Sequence, residues 1–147
     1  KNYQKALFYV NKALEIDNQN STYWKRYATI NGAMNFFEEA EFGYRKAVEF
    51  GDTELDTWLF WVDILQFLNE FDSAIIALLQ ASEFFPESFE IEYRLAGLYF
   101  MLTDDKKGVF HLSNGLRLSF DNRFIIEELF PVVWARKKVQ NYIEKNK

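Results

Sequence analysis

The chain has 147 residues, 49% of them hydrophobic and 19% aromatic, with a net charge of −5. That is long enough for one domain with a sizeable core and far too apolar for a disordered tail. The absence of cysteine removes disulfides, thiolate metal sites and a cysteine nucleophile, and suits a reducing compartment, although a periplasmic or surface location is equally compatible.

Phosphate-binding proteins usually carry a basic stripe, and the only cluster of that kind is Arg136, Lys137 and Lys138 near the end. A solvated helix face explains it, so no nucleic-acid partner is expected. No apolar run reaches the ~18 residues of a membrane span. The sequence begins at Lys1, without Met and in mid-pattern, which reads as a piece cut from a longer protein.

Taken in chain order, the elements repeat. The first is a helix over 2–16 with Ala6, Val10 and Ala13 on one stripe. Next come Trp24, Tyr27, Ala28 and Asn31 at i, i+3, i+4, i+7, predicting a helix over 21–34, and Ala40, Tyr44 and Ala47, predicting one over 37–50. Trp58, Trp61, Val62 and Leu65 then restate the first pattern over 54–68. Ala74, Leu78 and Ala81 restate the second over 71–84. A third pair, 88–102 and 105–118, carries Leu95, Ala96, Gly108, Leu112 and Gly115.

Successive members of the series Ala6, Ala40, Ala74, Gly108 are 34 residues apart. So are those of Ala13, Ala47, Ala81, Gly115 and of Tyr27, Trp61, Leu95, Leu129. Asp17–Asn20, Gly51-Asp52, Pro86 and Ser119–Asn122 end the second helices, while Asn35, Asn69-Glu70 and Thr103–Asp105 make the turns inside pairs. Ser21, Thr53, Ser88 and Asp121 are expected N-caps. Pro131 falls inside the next first helix and should stop or kink it near Phe130. A single helix over 131–145 then caps the stack with polar and basic residues. Gly108 and Gly115 lie inside a helix, each at a cost of ~1 kcal/mol relative to Ala, which makes the third pair the expected weak point.

This register resembles the tetratricopeptide repeat. Trp24, Tyr27, Ala28, Ala40, Tyr44 and Ala47 match its signature in one unit, and Trp58, Trp61, Val62, Leu65, Ala74, Leu78, Ala81 and Pro86 match in the next. The resemblance implies an all-α fold, a right-handed α-α superhelix of antiparallel helix pairs. The expected organisation is a single domain over 1–147. It comprises half a repeat at 1–20, full repeats at 21–54, 55–88 and 89–122, and a capping segment at 123–147. It also implies a protein-protein interaction scaffold with a peptide- or protein-binding concave groove, lined by first-helix residues not used in packing. By register these are Lys25, Arg26 and Thr29, then Asp56, Phe60, Asp63 and Phe67, then Tyr93, Arg94 and Phe100. Phe60, Phe67 and Phe100 serve equally well as rings that complete the core. The Lys/Asn clamp with which some relatives hold acidic tails does not fit, because Thr29 and Phe60 replace Asn and Glu90 stands where Lys belongs.

Nothing in the chain points to catalysis, a cofactor or a metal. His111 is the only histidine, and neighbouring acids such as Glu38-Glu39 and Glu127-Glu128 point apart on a helix. The alternative is a regulatory or assembly arm of a larger enzyme whose catalytic domain lies elsewhere. Helix 2–16, with Leu7, Phe8 and Leu14 and no partner, is a candidate surface for homo-oligomer formation.

Overall fold

The computed structural model describes residues 2–147. Among the described residues all regular structure is helical. The chain starts with α1 (Tyr3–Ile16), α2 (Ser21–Ala33), α3 (Phe37–Glu49), α4 (Leu55–Phe67) and α5 (Phe71–Phe84). After them come α6 (Phe89–Met101), α7 (Asp105–Leu118), a 3-10 turn (Phe120–Asn122), α8 (Ile125–Leu129), α9 (Pro131–Trp134) and α10 (Lys137–Lys145). Seven helices fall within two residues of their expected bounds. The chain divides into two compact units, one running to Ala77 and one from Leu78, with the boundary inside α5.

The period is written into the backbone as well as the side chains. Asn35, Asn69 and Thr103, spaced by 34, all adopt left-handed conformations with φ of 65°, 60° and 60°. Each ends a first helix in the same way. The N–H of Phe36 donates to Asn31 O (2.8 Å), that of Glu70 to Leu65 O (2.8 Å) and that of Asp104 to Tyr99 O (2.9 Å). A left-handed residue followed by such a bond satisfies carbonyls that the helix end would leave open. Asn tolerates this conformation, whereas Thr103, branched at Cβ, is strained there.

Ser88 caps α6 as expected, its Oγ accepting from Ile91 N (3.2 Å). At α2 the cap is Asn20, whose side chain accepts from Tyr23 N (3.1 Å), and Ser21 is already helical. Thr53 and Asp121 do not cap: Glu54 holds the position before α4 without a side-chain bond, and Asp121 lies in the 3-10 turn.

In the first unit α2 and α3 pack through Ala28, Ala40 and Tyr44, with Trp61 and Ile64 of α4 laid against them. A Cβ on Gly43 would stand 2.8 Å from Ala28 Cβ, so glycine there is what lets the two backbones approach. Trp61 also reaches back to α3, its Nε1 donating to Glu41 Oε2 (2.9 Å).

In the second unit α6 is almost wholly enclosed. Tyr93 fills the gap left by Gly115, Phe100 the gap left by Gly108, and Phe130 the gap left by Gly97. The glycines of α7, read from the sequence only as a cost, are therefore receptacles for rings. Glu92 takes the station held by Trp24 and Trp58, and His111 that of Gly43 and Ala77. Glu92 Oε1 accepts from Asn114 Nδ2 (2.6 Å) and lies 3.0 Å from His111 Nδ1, whose ring stacks on Tyr99. A buried polar cluster has replaced an indole over a small residue.

The expected single helix over 131–145 is corrected. Pro131 starts α9 as the sequence predicts, but the helix stops at Trp134, and Arg136 is extended (φ −67°, ψ 129°) before α10 begins. Two tertiary bonds hold the break: Arg136 Nη1 donates to Phe100 O (3.0 Å) and Gln140 Nε2 to Trp134 O (2.7 Å). The first joins residues 36 positions apart, so no local pattern announces it.

Candidate functional site

On α4, residues 56, 60, 63 and 67 fall within about 60° of one another around the helix axis. They read Asp, Phe, Asp, Phe. Asp56 is exposed, Asp63 half-buried, and Phe60 and Phe67 keep 45% and 65% of their surface in water. Rings this exposed on a helix whose opposite face holds buried Trp58, Val62 and Leu65 are not completing a core. Phe67 rests against Phe37 of α3 with ring centroids 4.2 Å apart, and Phe60 lies 6.0 Å from Tyr44.

Tyr44 links this stripe to α2. The Thr29 hydroxyl donates to Lys25 O (2.9 Å), so the Tyr44 phenol, 3.2 Å away, donates to Thr29 Oγ1. Burial pushes the Tyr44 pKa up, the Thr29 hydrogen bond opposes this, and the nearby Asp63 carboxylate adds to the rise. Arg26 and Thr29 are exposed on α2. Lys25 is half-buried and reaches Glu54 Oε2 at 3.8 Å, which engages its charge. Six expected residues thus flank one buried tyrosine: Arg26, Thr29, Asp56, Phe60, Asp63 and Phe67.

Two of the three expected residues on α6 are corrected. Tyr93 is 0% and Phe100 1% exposed, so neither can meet a ligand. Arg94 is half-buried and its Nη1 donates to Glu90 O (3.4 Å). Register alone could not separate a groove ring from a core ring. The signal that could have done so was the pair Gly108 and Gly115 on the neighbouring helix, which leave room for a ring to turn inward. Gly97, at the station of Thr29 and Asp63, is itself covered by Phe130.

Among the described residues no group of three His, Cys, Asp or Glu could hold a metal ion, and no helix is long and apolar enough to cross a membrane. A cleft of about 280 Å³ opens beside α1 and α2, lined by residues that include Tyr9, Val10, Arg26 and Ile30.

No protein-family model matches the sequence, and no curated protein does. Solved structures do. The crystal structure of YrrB, described as a TPR protein with an unusual peptide-binding site, superposes with a TM-score of 0.73 at 17% identity. That match covers 98% of this chain and 76% of YrrB. The crystal structure of MamA matches with a TM-score of 0.75 at 16% identity, covering 98% of this chain and 86% of the other. The chain has the tetratricopeptide-repeat fold. Its helices pack in adjacent antiparallel pairs, and the TPR register of 34 accounts for the three identical left-handed turns. At this level of identity the likeness shows the TPR fold, a scaffold for protein-protein interaction, and leaves the ligand to the side chains.

Proposed function

We propose that this TPR chain is a non-catalytic interaction module that holds a protein or peptide segment against α2 and α4 of its first unit. The observation that carries the reading is the exposure of Phe60 and Phe67 beside Asp56 and Asp63. Rigid rings give contact area at small entropic cost, and charged groups beside them give orientation. The second unit lacks an equivalent surface, because its rings are turned inward. The description of YrrB as having a peptide-binding site agrees with a peptide ligand.

The test is capture of partners from a lysate by the intact chain, with Phe60→Ala and Phe67→Ala in parallel. Partners retained by the parent and lost by the variants support the reading, provided circular dichroism shows all proteins equally helical. Partners held undiminished by the double variant would sink it.

A further inference from the structure

The α4 stripe also constrains what it can hold. Along a helix axis residues rise about 1.5 Å each, which puts Phe60 about 6 Å, Asp63 about 10 Å and Phe67 about 16 Å beyond Asp56. An extended peptide advances about 3.3 Å per residue. Lying along α4, its side chains would meet these four groups at its first, third, fourth and sixth positions.

Charge decides what those side chains are. From Glu38 to Asp72 the chain has ten acidic residues against two basic ones, Arg45 and Lys46, a net of −8. Arg45 is paired to Glu41 (3.0 Å) and Lys46 to Glu49 (3.0 Å). The charge left over is therefore negative, and α4 carries it on the same stripe as its exposed rings. Arg26 and Lys25 are on α2, and Lys25 faces Glu54. An acidic ligand would meet carboxylates wherever it touched a ring.

We infer that the α4 face selects an extended segment with the register basic–x–apolar–basic–x–apolar, running in either direction along the helix. Two Lys or Arg residues three apart would meet Asp56 and Asp63, and two aliphatic or aromatic residues three apart would lie on Phe60 and Phe67. This inference rests on the binding face proposed above and adds the chemistry of its ligand.

The test is selection of a random peptide library on the intact chain, followed by the same selection on Asp56→Lys/Asp63→Lys and on Phe60→Ala/Phe67→Ala. The parent should enrich basic residues three apart with apolar residues two positions after each, or the mirror pattern. A synthetic Lys-Ser-Leu-Lys-Ser-Leu peptide should bind about tenfold tighter than Lys-Lys-Ser-Ser-Leu-Leu of equal composition, a difference of about 1.4 kcal/mol. That preference should shrink as salt is raised.

The Lys double variant should invert the charge preference to Glu-Ser-Leu-Glu-Ser-Leu while keeping the apolar spacing, an inversion that loss of structure cannot mimic. If the parent enriches acidic or uncharged peptides that the Phe double variant loses, the ligand chemistry is wrong while the binding face stands. If the parent enriches no peptide, or if enriched peptides bind the Phe double variant equally well, both readings fall.

Discussion

Replacing Gly97 by Ala tests the packing argument where ordinary helix propensity predicts the opposite sign. Inside an exposed helix the change stabilises by about 1 kcal/mol. Here the new Cβ would lie 2.2 Å from Phe130 Cδ2 and 2.4 Å from its Cε2, against 3.4–4 Å for ordinary contact. Phe130 is 3% exposed, so its ring has no free volume to enter. Overpacking of this kind costs typically 1–3 kcal/mol, and an encroachment above 1 Å by rigid atoms belongs at the upper end. Subtracting the propensity gain leaves a net loss of about 2 kcal/mol, or about 4–8 °C in Tm for a chain of this size. Gly32→Ala is the internal control. The nearest atom to its new Cβ would be Ala40 Cβ at 3.8 Å, and the expected outcome is a gain of up to about 1 kcal/mol. Urea unfolding followed by far-ultraviolet circular dichroism, with fluorescence as a second probe because the chain forms two compact units, measures both. In a Phe130→Leu background the loss from Gly97→Ala should shrink by about 1 kcal/mol or more. A neutral or stabilising Gly97→Ala in the parent would refute the claim that ring and glycine are matched.

Three further substitutions probe other parts of the molecule. Thr103→Asn should stabilise by about 0.5–1 kcal/mol in thermal unfolding, because Asn accepts the left-handed backbone that Asn35 and Asn69 already adopt. Glu92→Ala removes the acceptor shared by Asn114 and His111 and should cost about 1–3 kcal/mol, with strong coupling to Asn114→Ala in a double-mutant cycle. Tyr93 donates its phenolic proton to Ser119 O (2.7 Å), and burial pushes its pKa from 10.0 up to about 12, with Arg123 pulling the other way. The neutral phenol is the folded form, so this contribution is intact below pH 10 and lost as pH rises towards 12, on the order of 2–3 kcal/mol. Alkaline unfolding of Tyr93→Phe should lack that part of the slope, and an identical slope would count against it.

The helix pairs were legible because two signals coincide every 34 residues: a small-residue stripe on second helices and a breaker at each turn. Those signals are local, and they placed seven helices to within two residues. The C-terminal segment was not legible beyond Pro131, since the break before α10 is held by Arg136 bonding to the end of α6. The candidate site divided along the same line. Stations on α2 and α4 are where register puts them and reach water. Tyr93 and Phe100 share that register, but glycines on the neighbouring helix let them turn inward. A pattern on one helix says which way a side chain leaves the backbone, and only the facing helix says whether anything blocks it.

The three rings seated over Gly97, Gly108 and Gly115 also limit how this protein can be rearranged. Repeats of this kind are often treated as interchangeable modules, but here the third is fitted to the C-terminal segment that covers it. Transplanting the second repeat into its place would put Asp63 beneath the Phe130 ring and Ala74 and Ala81 where Gly108 and Gly115 stand. Shuffled or extended versions should therefore splice ahead of Phe89 and carry the rest of the chain as one block.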